Sequence, residues 1–79
     1  MTTPTATART DPGFARLAPR ELRVAEAVSR GLRNKEIAAE LGTTEQVIKN
    51  YVRSVFDKLG CDSRLQLALR YVEYARSRP

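Results

Sequence analysis

The 79-residue sequence contains no histidine and a single cysteine, and these absences exclude several classes of site. Without histidine, no Ser/His/Asp or Cys/His catalytic set can form, and no zinc site can be built from His and Cys ligands. The lone Cys61 cannot form an internal disulfide, so a disulfide scaffold is excluded. Acid–base chemistry by two carboxylates stays open, but nine scattered acidic residues are typical of solvated helix surfaces. We therefore expect no enzyme, no metal ion and no cofactor.

Long apolar segments and glycine-rich loops are also missing. No apolar run approaches the ~20 residues of a membrane span, and the N-terminus lacks the apolar segment of a signal peptide. The four glycines stand apart, at positions 13, 31, 42 and 60, and do not form a phosphate-binding loop. These absences predict a soluble, intracellular protein without a membrane partner.

What the sequence does have is positive charge on a short chain. Fourteen Lys and Arg residues against nine Asp and Glu residues give a net charge of +5 and a pI near 10.0. Charge of this sign indicates a polyanionic partner, with nucleic acid ahead of an anionic membrane surface. A chain of this size buries only about 60% of its unfolded surface, so dimerisation is a natural way to enlarge its core.

Apolar spacing and helix-end residues predict an all-α fold of four helices without strands. The first three helices each carry apolar residues at helical spacing on one face: Leu22, Ala25 and Val28; Ile37, Ala38 and Leu41; and Ile48, Val52, Val55, Phe56 and Leu59. Glycines end these three helices: Gly31, Gly42 and Gly60. A proline and capping residues begin the four helices: Pro19, Asn34, Thr44, and Asp62 or Ser63. The fourth helix is predicted from about Arg64 to Ala75.

Residues 1–15 are predicted to form a flexible N-terminal tail, and residues 16–79 the folded domain. The tail contains several threonines and two prolines but no apolar period. An arm that reaches DNA is the alternative, since Arg9 lies in this segment and Arg16 follows it closely.

The second and third helices predict a DNA-binding surface. A turn of Gly42, Thr43 and Thr44 joins them, as in helix-turn-helix proteins, whose second helix enters the major groove. The outer face of the third helix carries four polar residues that can bond to base edges: Gln46, Lys49, Asn50 and Arg53. We predict that these residues read bases; the alternative is an ordinary solvated helix face.

Cations, hydroxyls and an amide near the helix ends are candidates for contacts to DNA phosphates. They flank the third helix on several sides: Arg33, Asn34, Lys35, Thr43, Thr44, Lys58 and Arg64. Taken singly, each of these residues fits an ordinary solvent-exposed position as well as a phosphate contact. Their clustering at helix ends favours phosphate contact.

The stretch Leu17–Val72 resembles the LuxR-type helix-turn-helix domain, also called the GerE-like domain. Four motifs carry the resemblance: Leu-x-Pro-Arg-Glu at 17–21, Gly-x-x-Asn-Lys-Glu-Ile-Ala at 31–38, Ile-Lys-Asn at 48–50, and Lys-Leu-Gly-x-x-Ser-Arg at 58–64. The resemblance implies a dimeric, sequence-specific transcription regulator of the bacterial cytoplasm. It assigns base reading to Lys49, Asn50 and Arg53, and dimerisation to the fourth helix. Phosphate contacts fall on Lys35, Thr44 and Lys58.

Three positions depart from the family pattern. Ala18 replaces a capping threonine, which should cost the first helix about 1 kcal/mol. Val47 replaces a residue whose hydroxyl often meets a phosphate, and Leu65 replaces a threonine of the fourth helix. Since few residues precede the domain, we also expect a short, stand-alone member of the family.

The fourth helix carries two apolar stripes, one more than a core contact requires. We expect Leu65, Ala68, Val72 and Ala75 to face the core. The second stripe, Leu67, Tyr71 and Tyr74, is then exposed and predicts the dimer interface. In the alternative, this second stripe folds back onto the tail or the first helix.

Two further alternatives remain at this point. The chain could be a helical interaction module that acts on a transcription factor or polymerase without binding DNA. If the chain is instead a DNA-binding regulator, RNA polymerase is a candidate partner. Cys61 is expected to be a small buried apolar residue, with a redox-sensitive thiol as the alternative.

Overall fold

The computed structural model describes residues 12–77, which form five helices and no strand. The helices are α1 (Pro12–Ala15), α2 (Pro19–Ser29), α3 (Asn34–Leu41), α4 (Glu45–Leu59) and α5 (Arg64–Ser77). Helices α2 to α5 are the four predicted from the sequence, so the all-α fold is confirmed. No helix among the described residues is long and apolar enough to cross a membrane.

Glycines end α3 and α4 as predicted, because both helices close with a left-handed residue. The φ angles are +70° at Gly42 and +69° at Gly60, a region that other residues enter only with strain. After Gly42, the amide of Thr43 donates to the Ala38 carbonyl over 2.9 Å. After Gly60, the amide of Cys61 donates to the Phe56 carbonyl over 3.0 Å. These six-to-one bonds turn the chain sharply away from each helix axis.

Two of the predicted helix caps are confirmed and one is wrong. Thr44 Oγ1 accepts from the Val47 amide over 3.2 Å, and Ser63 Oγ accepts from the Gln66 amide over 3.2 Å. Asn34, the predicted cap of α3, is instead the first residue inside the helix. Its N-cap is Arg33, whose amide donates to Glu36 Oε1 over 2.7 Å. The carboxylate three residues on thus satisfies the amide of the N-cap residue, which is half of a capping box, and no side-chain oxygen caps the amides of the first turn.

The core lies where α2 packs against both α4 and α5, and α3 packs against α4. The apolar faces predicted for the first three helices are turned inward: Ala25, Val28, Ile37, Ala38, Ile48, Val52, Val55 and Leu59 are buried. The remaining three members, Leu22, Leu41 and Phe56, are half-buried against them. Single apolar stripes on α2, α3 and α4 therefore predicted the core side of each helix correctly.

The orientation predicted for the fourth helix is wrong. Leu67 is 0% exposed, whereas Leu65 is 69% exposed and Val72 is 44% exposed. Tyr71 and Tyr74 pack against the core on the same side as Leu67. The stripe expected to form a dimer interface is thus the core side of α5, because one leucine and two tyrosine rings bury more apolar surface than the competing stripe.

The predicted tail also differs from the structure over residues 12–15. They form the single turn α1, and Phe14 is buried at 4% exposure. Its ring stacks on Tyr74 with centroids 4.3 Å apart and meets Tyr71 edge-on at 6.1 Å. The folded domain therefore reaches back at least to Pro12. Arg9 and the rest of the predicted tail lie outside the described residues.

Candidate nucleic-acid interface

The structure brings the four predicted base-reading residues together on one exposed face of α4. Gln46, Lys49, Asn50 and Arg53 are all exposed. They follow offsets of 0, 3, 4 and 7 residues, which place them on one side of a helix. The opposite side of α4 is buried in the core, so this face is the one that the helix presents to solvent.

Lys49 and Arg53 are free to bind a ligand. Within residues 12–77, neither side chain takes part in a hydrogen bond or an ion pair with the protein. Gln46 and Asn50 differ, because Gln46 Nε2 donates to Asn50 Oδ1 over 3.2 Å. The face therefore offers two unpaired cations and one pair of linked amides, which are suitable donors and acceptors for base edges.

An open groove of about 510 Å³ runs beside this face. Lys49 and Arg53 line it from α4, and Asn34 lines it from the start of α3. Val52, Phe56 and Cys61 contribute apolar surface to the same groove. Cys61 is 8% exposed, which agrees with the prediction of a small buried residue. The start of α3 and the middle of α4 thus border one continuous surface.

Arg33 and Lys35 are the phosphate candidates whose charges are available. Both are exposed, and in the part of the chain that the structure describes their side chains have no hydrogen-bond or ion-pair partner. They flank the first residue of α3, where the free backbone amides of a helix start favour an anion. The two threonines of the turn differ: Thr44 is occupied as the cap of α4, and Thr43 is half-buried.

Lys58, another phosphate candidate, is bound within the protein. Its ammonium donates to Glu21 Oε1 over 2.9 Å and to the Arg16 carbonyl over 3.3 Å. Glu21 is only 6% exposed and accepts a second bond from Ser54 Oγ over 2.5 Å. The charge of Lys58 is therefore largely matched inside the molecule.

The buried carboxylate of Glu21 keeps its charge despite its surroundings. Burial alone raises its pKa, but hydrogen bonds from Ser54, Lys58 and the Ala18 amide outweigh burial and hold the pKa below its ordinary value. The Ala18 amide lies 2.7 Å from Glu21 Oε1. This bond supplies half of the capping interaction at a position where alanine has no side-chain acceptor.

Arg64 and Asn34, both predicted to contact phosphates, are bonded to each other. Arg64 Nη1 donates to Asn34 Oδ1 over 2.9 Å, and Arg64 Nη2 donates to the Leu32 carbonyl over 2.7 Å. Arg64 thus ties the first turn of α5 to the segment that leads into α3. Its remaining N–H groups are available to a ligand.

The sequence reasoning missed the groups that hold the end of α4. Arg16 Nη2 donates to the Lys58 carbonyl over 2.8 Å, and Arg70 donates to the Leu59 carbonyl. No local pattern predicts these contacts, since the partners are distant in the chain. Glu21 did carry a signal, because it lies at helical spacing with the buried residues Ala25 and Val28 of the same helix.

Residues 15–71 match the sequence pattern of a known protein family, which is described as "Bacterial regulatory proteins, luxR family". The chain belongs to the luxR family. This LuxR-type domain is a DNA-binding domain of transcriptional regulators, and the family is not one of enzymes.

Several curated proteins are similar to this LuxR-type domain. The two-component response regulator PprB of Pseudomonas aeruginosa is 48% identical over 59 residues, 75% of this chain and 22% of PprB. The transcriptional activator DevR/DosR of Mycobacterium tuberculosis is 44% identical over 52 residues, 66% of this chain and 24% of that protein. The nitrate/nitrite response regulator NarP of Escherichia coli is 36% identical over 66 residues, 84% of this chain and 30% of NarP.

The chain spans between a fifth and a third of the length of these three relatives. The similarity therefore concerns only part of each relative.

Proposed function

We propose that this LuxR-type domain binds specific sites on bacterial DNA as a dimer, with α4 in the major groove. The observation that carries the proposal is the exposed polar face of α4, fixed in place by the Gly42 turn and by a buried apolar face opposite. The major groove is wide enough to admit an α-helix. Binding to the bacterial chromosome would place the protein in the cytoplasm, and contact with RNA polymerase stays a prediction.

Base reading is assigned to Lys49, Asn50 and Arg53, with Gln46 beside them. Lysine and arginine can donate to O6 and N7 of guanine, and an asparagine amide can pair with adenine. The support is that these side chains share one exposed face and that both cations are without a protein partner in the described chain. No buried ion pair has to break before Lys49 or Arg53 can reach a base.

Phosphate contacts are assigned first to Arg33 and Lys35, whose charges are available at the start of α3. Thr43, Thr44, Asn34 and Arg64 lie close to the same helix ends and are secondary candidates. Lys58 is expected to contribute less, because Glu21 already matches its charge at 2.9 Å. Backbone contacts of this kind hold the protein on DNA and carry no sequence information.

Dimerisation is assigned to the apolar stripe of α5 that the structure leaves exposed. It replaces the stripe predicted from the sequence, which the structure packs against the core. Leu65, Leu69 and Val72 are 69%, 62% and 44% exposed and follow offsets of 0, 4 and 7 on one face. An exposed apolar stripe on a small protein marks a contact. A symmetric pair of α5 helices can set two α4 helices one DNA turn apart, which is about 34 Å.

The test is a binding measurement on duplexes selected from a random library by the unchanged protein. Lys49→Ala and Arg53→Ala should each weaken binding to the selected duplex by about 1–3 kcal/mol and relax the preference at one base pair. Lys35→Ala, as the matched control, should weaken binding to selected and random duplexes alike. If Lys49→Ala, Asn50→Ala and Arg53→Ala all keep their affinity and preference, α4 does not read the bases.

A further inference from the structure

Gln46 and Asn50 are bonded to each other on the exposed face of α4, and this bond gives the two amides different tasks. Gln46 Nε2 donates to Asn50 Oδ1 over 3.2 Å. Side chains four residues apart on a helix are neighbours, and amide pairs at this spacing form such bonds. No other pair of the four residues on this face is joined by a hydrogen bond within residues 12–77.

The direction of this bond fixes the orientation of the Asn50 amide. An amide nitrogen only donates and an amide oxygen only accepts, so the donor on Gln46 holds the oxygen of Asn50 toward itself. The oxygen keeps its second lone pair, and Nδ2 of Asn50 keeps both of its N–H groups. Asn50 thus presents one donor and one acceptor in a set orientation.

Adenine offers the matching pair of groups in the major groove. Its N7 accepts a hydrogen bond and its N6 amino group donates one, so a single asparagine amide can bond to both. An amide that is free to turn must be fixed in one of two orientations when it binds, and this ordering weakens binding. A side chain that has already fixed the amide removes that cost.

We propose that Gln46 is a positioning residue that orients Asn50 to read adenine, and that Gln46 is not an independent base reader. The inference rests on the proposed function, in which Asn50 contacts a base. It changes the task of Gln46 from contacting DNA to controlling how sharply its neighbour discriminates between base pairs.

The experiment uses a duplex selected from a randomised library and variants of it with all four base pairs at each position. Asn50→Ala identifies the base pair that Asn50 reads, because preference is lost there. Gln46→Met has a similar length but cannot donate, and it should lower discrimination at this same base pair by about 2-fold. Preference at all other positions should stay unchanged.

Two further variants separate positioning from a merely structural role. Gln46→Lys keeps a donor at the end of a flexible chain, so it should preserve the preference at the Asn50 base pair while it raises affinity for all sequences. In the Asn50→Ala background, Gln46→Met should change no preference at all. Gln46 and Asn50 are both exposed, so these changes should leave the midpoint of chemical denaturation unshifted.

Each contrary result has a distinct meaning. If Gln46→Met leaves the Asn50 base pair unaffected, or relaxes preference at a different base pair, Gln46 does not position Asn50 and the proposed function stands. If the base pair read by Asn50 does not contain adenine, the assignment to adenine is wrong. If Asn50→Ala keeps every preference, Asn50 reads no base, and that part of the proposed function fails together with this inference.

Discussion

At the scale of single residues, Glu21 connects three parts of the chain through one buried carboxylate. It accepts bonds from the start of α2, from the middle of α4 and from the last turn of α4. A buried charge of this kind is tolerated only when it is fully hydrogen-bonded. Removing the Ser54 or the Lys58 donor therefore weakens the attachment of α4 to α2.

The lowered pKa of Glu21 predicts how stability depends on pH. The folded state favours the charged carboxylate, so this contribution to stability is complete above the ordinary glutamate pKa of about 4.3 and is lost as the pH falls through the lower pKa of the folded protein. Urea unfolding between pH 7 and pH 3 should thus give a falling free energy of unfolding at the acid end. Glu21→Gln should flatten this dependence.

The matched control for that measurement is Glu26→Gln. Glu26 is exposed and lies 4.0 Å from Arg30 in an ion pair on the surface of α2. Exposed pairs contribute little, so this variant should keep the acid dependence of the unchanged protein. An equal flattening by both variants would contradict the role given to Glu21.

At the scale of helices, the sequence predicted that α5 forms but did not predict which of its faces packs against the core. Leu67 lies on its core side and Leu69 on its exposed side. Leu67→Ala should lower the free energy of unfolding by about 2–5 kcal/mol, because it leaves a cavity in the core. At protein concentrations where the chain is monomeric, Leu69→Ala should lower it by about 0.5 kcal/mol or less, because the exposed side chain leaves no cavity.

Chemical denaturation of both variants at one protein concentration provides the comparison. If Leu69→Ala is the more destabilising change, Leu67 does not lie on the core side of α5. A concentration-dependent stability of the unchanged protein would add information on the dimer, since association of folded chains stabilises them.

The helices α2, α3 and α4 could be predicted because each has a single apolar stripe and ends at a glycine. The orientation of α5 could not, because it has two stripes with the same period. Phe14 packs against Tyr71 and Tyr74 on the core side of this helix, but it lies in a segment without an apolar pattern. Packing partners distant in sequence decide such cases, and local spacing contains no information on them.

The candidate site divides in the same way. The shared face of Gln46, Lys49, Asn50 and Arg53 follows from helical spacing alone and could be predicted. The engagement of Lys58 by Glu21 and of Arg64 by Asn34 could not, since these pairs are 37 and 30 residues apart. The sequence identified Lys58 and Arg64 as cations near helix ends. Only the fold determines which of their hydrogen bonds and charges are already matched within the protein.

At the scale of the whole molecule, the net charge of +5 predicts a strong dependence of DNA binding on salt. Each phosphate contact adds about 0.9 to the slope of log affinity against log salt concentration. Lys35→Met should therefore reduce the slope by about 2 if two protomers bind the site and by about 1 if one protomer binds. Lys58→Met should reduce it less, because Glu21 matches that charge in the free protein.

Fluorescence polarisation over a range of potassium chloride concentrations measures these slopes. Leu69→Glu is a useful second variant, because a carboxylate in the exposed stripe of α5 should prevent pairing without entering the core. In that background, the loss caused by Lys35→Met should fall to about 1. An unchanged loss of about 2 would show that the protomers pair through another surface.

The stacking of Phe14 on Tyr74 limits how short a fragment of this chain can be when it is used in a fusion protein. The family pattern covers residues 15–71, so the two rings lie just beyond its limits, one at each end. A fragment cut at those limits loses both partners of one aromatic contact and leaves Tyr71 without its edge-on neighbour. A fusion protein that uses this domain to bind DNA therefore has to include at least residues 14–74, because the family pattern is narrower than the part of the chain that packs together.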